Sequence, residues 1–417
     1  MEIKRDFLLD RLMNLRHNNM IKVITGMRRC GKSYLLFNLF SDALKAEGVD
    51  EQHIVKVNLE DRRNKALRDP DKLLEYIDSR LQDDKMYYIL LDEVQLVSEF
   101  EDVLNSYLQI KNVDVYVTGS NARFLSKDVI TEFRGRGFEV RVHPLSFMEV
   151  QKALREEPIE QLWEKYLTFG GLPQVVTMTS DKERVAYLKI LFKHTYLKDI
   201  KERYNIKLDS DLEDLIRSLA STIGGLTNPR KIADTFRSVK KSTISQDTIK
   251  AYTDYLQDAF IIERALRYDI KGKRYIDTPS KFYFEDLGLR NALLNFRQVE
   301  KTHLMENAIY NELRTREMSV DVGEVIWNTK DIEGKKIRKT LEVDFVCNKG
   351  YKRLYIQSAF SIPDDEKRDQ ELQSLRRIED SFQKIVIVGN HSPRYQNEDG
   401  IIFMDIYDFL MDKDSVE

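Results

Sequence analysis

The chain has 417 residues, enough for two to four domains of about 100–200 residues each. Apolar residues make up 42% of the sequence and charged residues 33%, which excludes a mainly disordered chain. The formal net charge of −3 excludes a globally basic nucleic-acid coat, so any such binding must come from a local patch.

Cysteine content and hydropathy exclude further classes of protein. Two cysteines, Cys30 and Cys347, are too few for a disulfide scaffold or a four-cysteine zinc site. No secretory signal follows the first charged residues, and no run approaches the roughly 18 apolar residues that span a bilayer. We therefore expect a cytoplasmic protein that has no membrane contact.

Short apolar strands alternate with helical segments in the first third of the chain. The strands are predicted at residues 21–25, 54–59, 87–91, 113–118 and 137–142. Five such strands with helical crossovers indicate a mostly parallel sheet covered on both faces. Residues 1–145 are therefore predicted to form an α/β domain.

A phosphate-binding loop follows the first predicted strand. Residues 26–33 fit the pattern G-x-x-x-x-G-K-S, with an apolar strand before them and a helix after them. Glycines let successive backbone amides face phosphate oxygens, and the helix N-terminus adds a favourable dipole. Lys32 is expected to reach the β- and γ-phosphates of ATP, and Ser33 to hold Mg²⁺. The expected nucleotide-binding residues are Gly26, Met27, Arg28, Arg29, Cys30, Gly31, Lys32, Ser33 and Tyr34.

Two adjacent carboxylates end the third predicted strand. Asp92 is expected to bind Mg²⁺, as the acid at this position does in other phosphate-loop proteins. Glu93 is placed to orient or deprotonate a water molecule that attacks the γ-phosphate. An acid pair in this position favours water over an organic acceptor, so a small-molecule kinase is the weaker interpretation.

Further polar residues are candidates for sensing or neutralising the γ-phosphate. Asn121 or Ser120, after the fourth strand, can lie beside Asp92, although a plain strand-ending turn explains either one equally well. Arg134 or Arg136, before the fifth strand, can neutralise charge in cis or across a subunit interface. A solvated basic loop explains these arginines equally well.

Together these motifs resemble the bacterial and archaeal AAA+-like ATPases of the additional-strand, catalytic-Glu division of P-loop proteins. The matching segments are the phosphate loop and residues 91–95, 118–121, 135–136, 144–147 and 170–173. Members of this family typically carry a C-terminal domain of unknown function. The resemblance implies sheet order 5-1-4-3-2 and a helical lid at residues 146–207. By resemblance to similarly built signalling ATPases, Pro173 is a candidate for contact with the adenine; a helix-breaking turn is the alternative.

Residues 208–295 are predicted to form a winged-helix domain. Helices are expected at 212–221, from 228 onward and at 248–260, followed by strands around the turn 271–274. Residues 228–275 contain 11 Lys or Arg and 6 Asp or Glu, a local charge of +5. Such a patch suits double-stranded DNA, with the third helix in a groove. Winged helices also dock proteins, so a protein partner stays open.

Residues 296–417 resemble the PD-(D/E)xK nuclease core, which has an α/β fold. By that resemblance Glu306, Asp344 and Gln357 form a possible second metal site. Ala359 stands where the nuclease lysine is expected, and Lys367 is a possible substitute. We therefore favour a degenerate module that does not cut nucleic acid.

Taken together, the sequence predicts an ATP-binding protein, expected to hydrolyse ATP with Mg²⁺ and to act as a switch on DNA or on a protein. An ATP-gated nuclease and a regulator that holds ATP with little turnover are the alternatives.

Overall fold

The computed structural model describes residues 2–119, 135–206, 209–330 and 336–416. The chain forms two compact units. The first contains residues 1–145, 172–177 and 258–260, and the second contains residues 146–171, 178–257 and 261–417. The chain therefore crosses between the units several times.

A five-stranded parallel sheet forms the centre of the first unit. Its strands are β1 (Ile21–Thr25), β2 (Ile54–Asn58), β3 (Tyr87–Asp92), β4 (Val113–Thr118) and β5 (Gly137–Arg141). They lie in the order β2-β3-β4-β1-β5, which is the predicted order 5-1-4-3-2 read from the other edge. β1 and β3 are buried at every position, as expected for strands covered on both faces.

Helices cover this sheet. The longest runs from Lys32 through a π-helical stretch, Leu35–Phe40, to Ala46, and it begins directly after the phosphate loop. The others in the described part of this unit are Asp6–Asn14, Pro70–Asp78, Phe100–Tyr107 and Pro173–Thr177, with shorter 3-10 segments at Glu51–His53, Arg62–Arg68 and Val94–Leu96. Asp69 caps the helix that begins at Pro70, where proline lacks only an N–H that has no helical partner.

The second unit combines many helices with one mixed sheet. Ser146 and Glu149 form a capping box at the start of its first helix, which explains the Pro-Leu-Ser-Phe motif in local terms. The helices are Phe147–Ala153, Ile159–Phe169, Asp181–Leu191, Leu197–Tyr204, Asp209–Ser221, Pro229–Lys240, Gln246–Asp258, Leu287–Leu293, Lys301–Thr315, Asp365–Arg376 and Ile406–Met411, with a π-helical segment at Phe192–Tyr196.

Eight strands form the sheet of the second unit, in the order β12-β13-β11-β10-β9-β8-β6-β7. They are β6 (Ile262–Asp269), β7 (Arg274–Phe284), β8 (Ser319–Lys330), β9 (Lys336–Lys349), β10 (Lys352–Ala359), β11 (Gln383–Val388), β12 (Tyr395–Gln396) and β13 (Ile402–Asp405). A buried cluster that includes Tyr283, Met305 and Phe345 packs against it.

This sheet differs from the predicted winged helix in one respect. The hairpin of β6 and β7 forms as predicted, but β6 also pairs in parallel with β8. The hairpin is therefore part of a larger sheet rather than a free wing. The expected boundary between residues 295 and 296 falls inside this unit, because strands from both sides share one sheet and one core.

Within the described residues, no helix has the length and apolar character needed to cross a membrane.

Candidate functional site

The phosphate loop lies between the end of β1 and the helix that begins at Lys32. Gly26 has a φ of 139°, and a Cβ at this position would lie 2.1 Å from the carbonyl oxygen of Val142. Gly31 has a φ of 102°. Both glycines therefore adopt backbone that a side chain strains, and Gly26 also needs the space. Cys30 Sγ contacts the same Val142 oxygen at 3.2 Å, so the segment after β5 braces the loop.

Lys32 is buried, and its ammonium lies inside the loop. It donates hydrogen bonds to the carbonyl oxygens of Gly26 and Met27, both at 2.9 Å. These main-chain oxygens hold the ammonium within the amide cradle, where phosphate oxygens bind in proteins of this fold. Arg28 is partly buried, whereas Arg29, Ser33 and Tyr34 are exposed at the rim of the loop.

Asp92 joins the two halves of the site. Its Oδ1 accepts hydrogen bonds from the hydroxyls of Ser33, at 2.9 Å, and Thr118. Burial raises the pKa of Asp92 above its usual value, the charge of Glu93 adds to this rise, and the two hydroxyl donors oppose it. A carboxylate and a serine hydroxyl are oxygen ligands of the kind that Mg²⁺ prefers, so this donor set fits the ion. The ion would place a Lewis acid beside the phosphate oxygens.

Glu93 lies directly after β3 with a left-handed backbone, φ 56°. Its amide donates to Thr118 Oγ1 at 3.0 Å, and Gln95 Nε2 donates to its carboxylate. The two acids therefore point into different surroundings: Asp92 towards Ser33 and Glu93 towards Gln95. This separation allows one acid to serve the metal and the other to serve a water molecule.

Pro173 belongs to the first unit and lies beside the phosphate loop. Its Cγ would be 3.8 Å from a Cβ placed on Gly31. Two residues earlier, the amide of Gly171 donates to the buried carboxylate of Asp286 at 2.8 Å within the second unit. Pro173 stays a candidate for contact with the nucleotide.

Arg136 is not brought to the phosphate loop. Its carbonyl oxygen accepts from the amide of Ile21, the first residue of β1, whereas the loop follows Thr25, the last. β5 runs parallel to β1 beside it, and Arg136 comes just before β5. It therefore lies about 13 Å from the phosphate loop along the strand direction, at the N-terminal ends of the strands. This position does not favour a role in cis, and the roles in cis and across a subunit interface both stay predictions. Ser120, Asn121 and Arg134 lie outside the described residues.

Two residues of the site were not predicted from the sequence. Thr118 links Asp92 and Glu93 through one hydroxyl, although the expectation fell on the residues after it. Arg5 is buried and donates to the carbonyl oxygens of Cys30 and His143, at 3.3 and 3.0 Å. The register of β3 against β4 points to Thr118, because both strands end at the same edge. No local signal points to Arg5.

The acids of the predicted second metal site assemble around a lysine. Lys281 of β7 is 2% exposed, and its Nζ lies 2.9 Å from Glu306 Oε1, 2.7 Å from Glu342 Oε1 and 3.7 Å from Asp344 Oδ1. Tyr283 also donates to Glu306, at 2.7 Å. The described residues contain no group of three or more His, Cys, Asp or Glu suited to a metal ion. An ammonium therefore lies where Glu306 and Asp344 converge, and the second metal site with Gln357 stays a prediction.

Burial and neighbouring charges shift the pKa values in this buried cluster in opposing ways. Burial alone would lower the pKa of Lys281, but the surrounding carboxylates raise it. Burial, with the charge of Glu306, raises the pKa of Asp344 to about 8. Gln357 accepts from the Asp344 amide at 3.4 Å. Lys367, the predicted substitute for the nuclease lysine, instead pairs with Glu371 at 2.6 Å.

Comparison with known proteins supports the assignment of the first unit as a P-loop ATPase fold. A family model described as an AAA domain matches residues 18–151, and one described as a domain of unknown function (DUF8612) matches residues 160–300. The Walker-type ATPase of Pyrococcus abyssi has a similar fold, with a TM-score of 0.52 and 17% identity over 70% of this chain and 96% of that one. None of these comparisons supports the nuclease-like assignment.

Two relatives match along most of the chain. An uncharacterized protein of Haemophilus influenzae is 32% identical over 414 residues, which is 98% of each protein. An uncharacterized protein of Methanocaldococcus jannaschii is 27% identical over 341 residues, 79% of this chain and 72% of that protein. With the phosphate loop and sheet order described above, these matches show that the chain belongs to a family of AAA-type P-loop ATPases that carry a C-terminal domain of unknown function.

Proposed function

We propose that the protein binds ATP with Mg²⁺ and hydrolyses it, and that the nucleotide state switches its hold on a macromolecular partner. The carrying observation is the hydrogen-bonded chain from Ser33 through Asp92 and Thr118 to Glu93. It connects the end of the phosphate loop to the proposed general base, Glu93, so the proposed metal ligands and this acid are positioned by the same contacts.

The residues divide the reaction between them. Lys32 binds the β- and γ-phosphate oxygens, and the loop amides stabilise the charge that develops on them. Glu93 orients the attacking water and takes its proton as the oxygen bonds to the γ-phosphorus. The bond from the γ-phosphorus to the bridging oxygen breaks, and ADP and phosphate form. Ser33 and Asp92 would hold Mg²⁺, which would supply positive charge to neutralise the phosphates.

Hydrolysis by wild type and Glu93→Gln tests this proposal. We expect a measurable wild-type rate and a loss of about 100-fold or more in Glu93→Gln, the usual contribution of a general base. Equal, near-zero rates in both proteins would favour a regulator that holds ATP. Lys32→Ala should abolish ATP binding in calorimetry, whereas Lys65→Ala, at an exposed position of the same unit, should not.

An ATP-gated nuclease is the alternative suggested by residues 296–417. One observation favours it: Lys281 supplies, from another strand, an ammonium that Ala359 cannot. Its support is weaker because that ammonium lies between the acids. Magnesium-dependent cleavage of duplex DNA that is lost in Asp344→Ala would establish this activity, and its absence from the wild type would exclude it.

A pull-down with Glu93→Gln in ATP tests for the partner, because slow hydrolysis prolongs the ATP-bound state. Between a DNA and a protein partner, the charge of residues 228–275 favours DNA.

A further inference from the structure

The positive charge of residues 228–275 is concentrated on one helix. In helix Pro229–Lys240, Ala233 and Phe236 are buried, which turns the opposite side towards solvent. The exposed surface of this helix and its C-cap carries five cations and one acid: Arg230, Lys231, Arg237, Lys240, Lys241 and Asp234. We call these five cations the basic face. Its net charge with Asp234 is 5 − 1 = +4.

Three of these cations form a row. Arg230 and Arg237 are seven residues apart, which places them on one side of the helix, and Lys241 follows at the C-cap. The row spans 11 residues, or about 16 Å at the helical rise. It is therefore long enough to contact several phosphates of a nucleic-acid backbone.

The two ion pairs on the basic face differ in exposure. Arg237 Nη2 lies 2.6 Å from Asp234 Oδ1, and both side chains are more than half exposed. Lys240 pairs with Asp214, and both of these side chains are partly buried. Exposed pairs are worth little, so a phosphate can replace the carboxylate at small cost. For Arg230, Lys231 and Lys241, the described part of the chain provides no ion pair.

The following helix, which was expected to enter a DNA groove, has the opposite charge. Helix Gln246–Asp258 contains one lysine, Lys250, and three acids, so its net charge is 1 − 3 = −2. Asp247 and Asp254 are both exposed. Carboxylates brought against phosphates repel them, so this helix is poorly suited to lie in a groove.

The turn between β6 and β7 carries fewer cations than the basic face. Arg274 Nε lies 3.3 Å from Asp269 Oδ2, whose side chain is buried, and Lys271 Nζ lies 3.8 Å from Glu379 Oε1. Lys273 is exposed between them. The turn therefore offers three cations to a phosphate backbone, against five on the basic face.

We propose that the basic face of helix Pro229–Lys240 and Lys241 binds the phosphate backbone of duplex DNA, and that helix Gln246–Asp258 does not read a groove. This rests on the proposed function in that it identifies the DNA-contacting surface of the switch. The contact is electrostatic and independent of base sequence, because arginine and lysine on phosphates position a protein without reading bases.

Fluorescence anisotropy of a labelled duplex tests the surface, using the full chain at salt concentrations from about 50 to about 200 mM. The interface variant is Arg230→Ala, Arg237→Ala and Lys241→Ala together. Each lost phosphate contact should reduce the slope of log affinity against log salt by about 0.9, so the triple change should reduce it by about 2.7. The matched control is Lys182→Ala, Lys189→Ala and Lys193→Ala, exposed positions that change the net charge equally.

The expected result is a lower affinity and slope in the interface variant, with the control close to wild type. Equal losses in both triples would attribute binding to overall charge and overturn the proposal, as would a wild type that does not bind duplex at low salt. The charge-retaining variant Arg230→Lys, Arg237→Lys and Lys241→Arg should bind like wild type. A failure of this variant to bind would contradict a phosphate contact made by charge.

Calorimetry with ATP keeps the two proposals apart. Wild type that binds ATP but no duplex overturns the DNA surface and leaves the ATPase proposal intact. Wild type that binds duplex but no ATP overturns the ATPase proposal, and the duplex measurement without nucleotide still decides the surface.

Discussion

Arg5 donates a hydrogen bond to the carbonyl oxygen of Cys30, 25 residues later and inside the phosphate loop. A second bond from the same guanidinium reaches the carbonyl oxygen of His143, after the last strand of the sheet. One buried side chain therefore ties the loop to two distant segments of the first unit. Arg5 therefore positions the phosphate loop although it lies outside the sequence motif at residues 26–33.

Arg5→Met should weaken ATP binding and destabilise the protein. Both carbonyl oxygens lose a charged donor in a buried setting, which costs about 1.5–3 kcal/mol. Calorimetry with ATP and urea unfolding measure the two effects. Arg80→Met, at an exposed position, should change neither. An unchanged dissociation constant for ATP in Arg5→Met would show that the loop keeps its shape without this contact.

Gly26→Ala should abolish ATP binding. The new Cβ would lie 2.1 Å from the Val142 oxygen, so the loop or the segment after β5 must move. Gly48→Ala is the matched control, because Gly48 also has a positive φ, 90°, but nothing lies within 4 Å of its Cβ position. It should cost only the backbone strain of about 1–2 kcal/mol and leave ATP affinity unchanged. Comparable affinities for ATP in the two variants would exclude the steric explanation.

Thr118→Val should slow ATP hydrolysis while ATP binding persists. Valine keeps the shape of threonine but removes the hydroxyl that donates to Asp92 and accepts from the Glu93 amide. Loss of this support for Glu93 should lower the rate by about 10-fold, which is part of the roughly 100-fold or more that a general base contributes. Thr118→Ser retains the hydroxyl and should restore most of the rate. Steady-state phosphate release measures this, and equal rates in Thr118→Val and wild type would remove Thr118 from the site.

Asp344→Asn should change how stability depends on pH. Because the pKa of Asp344 is raised to about 8, the folded protein keeps this proton at pH values where the unfolded chain has released it. The wild type therefore loses stability as pH rises from about 4 to about 8, by at most about 1.4 kcal/mol per pH unit. Asparagine cannot ionise and resembles the protonated form.

Urea unfolding at pH 5 and pH 7 checks this prediction. The stability of Asp344→Asn relative to wild type should increase between the two pH values. Asp84→Asn, at an exposed position, should show no such trend. A constant difference between Asp344→Asn and wild type would mean that Lys281 keeps the carboxylate ionised.

The sequence alone predicted those parts of the fold that depend on residues close together in the chain. The phosphate loop needs glycines beside one lysine, and each buried parallel strand is a continuous apolar run, so composition alone locates them. The order of these strands came from the family resemblance, and the structure confirms it. Thr118 and Asp92 required the register between strands, which places two strand ends side by side.

Tertiary structure alone decided the contacts between residues far apart in the chain. β5 runs parallel to β1, so Arg136 lies at the N-terminal ends of these strands, whereas the phosphate loop follows the C-terminal end of β1. Its position in the sequence alone had suggested a place near the γ-phosphate. Lys281 meets Glu306 and Asp344 because β6 joins β8 and extends one sheet across a predicted boundary. The sequence shows which side chains have opposite charges. Which of them pair in the buried core depends on strand order and direction, because these decide which distant residues lie next to each other.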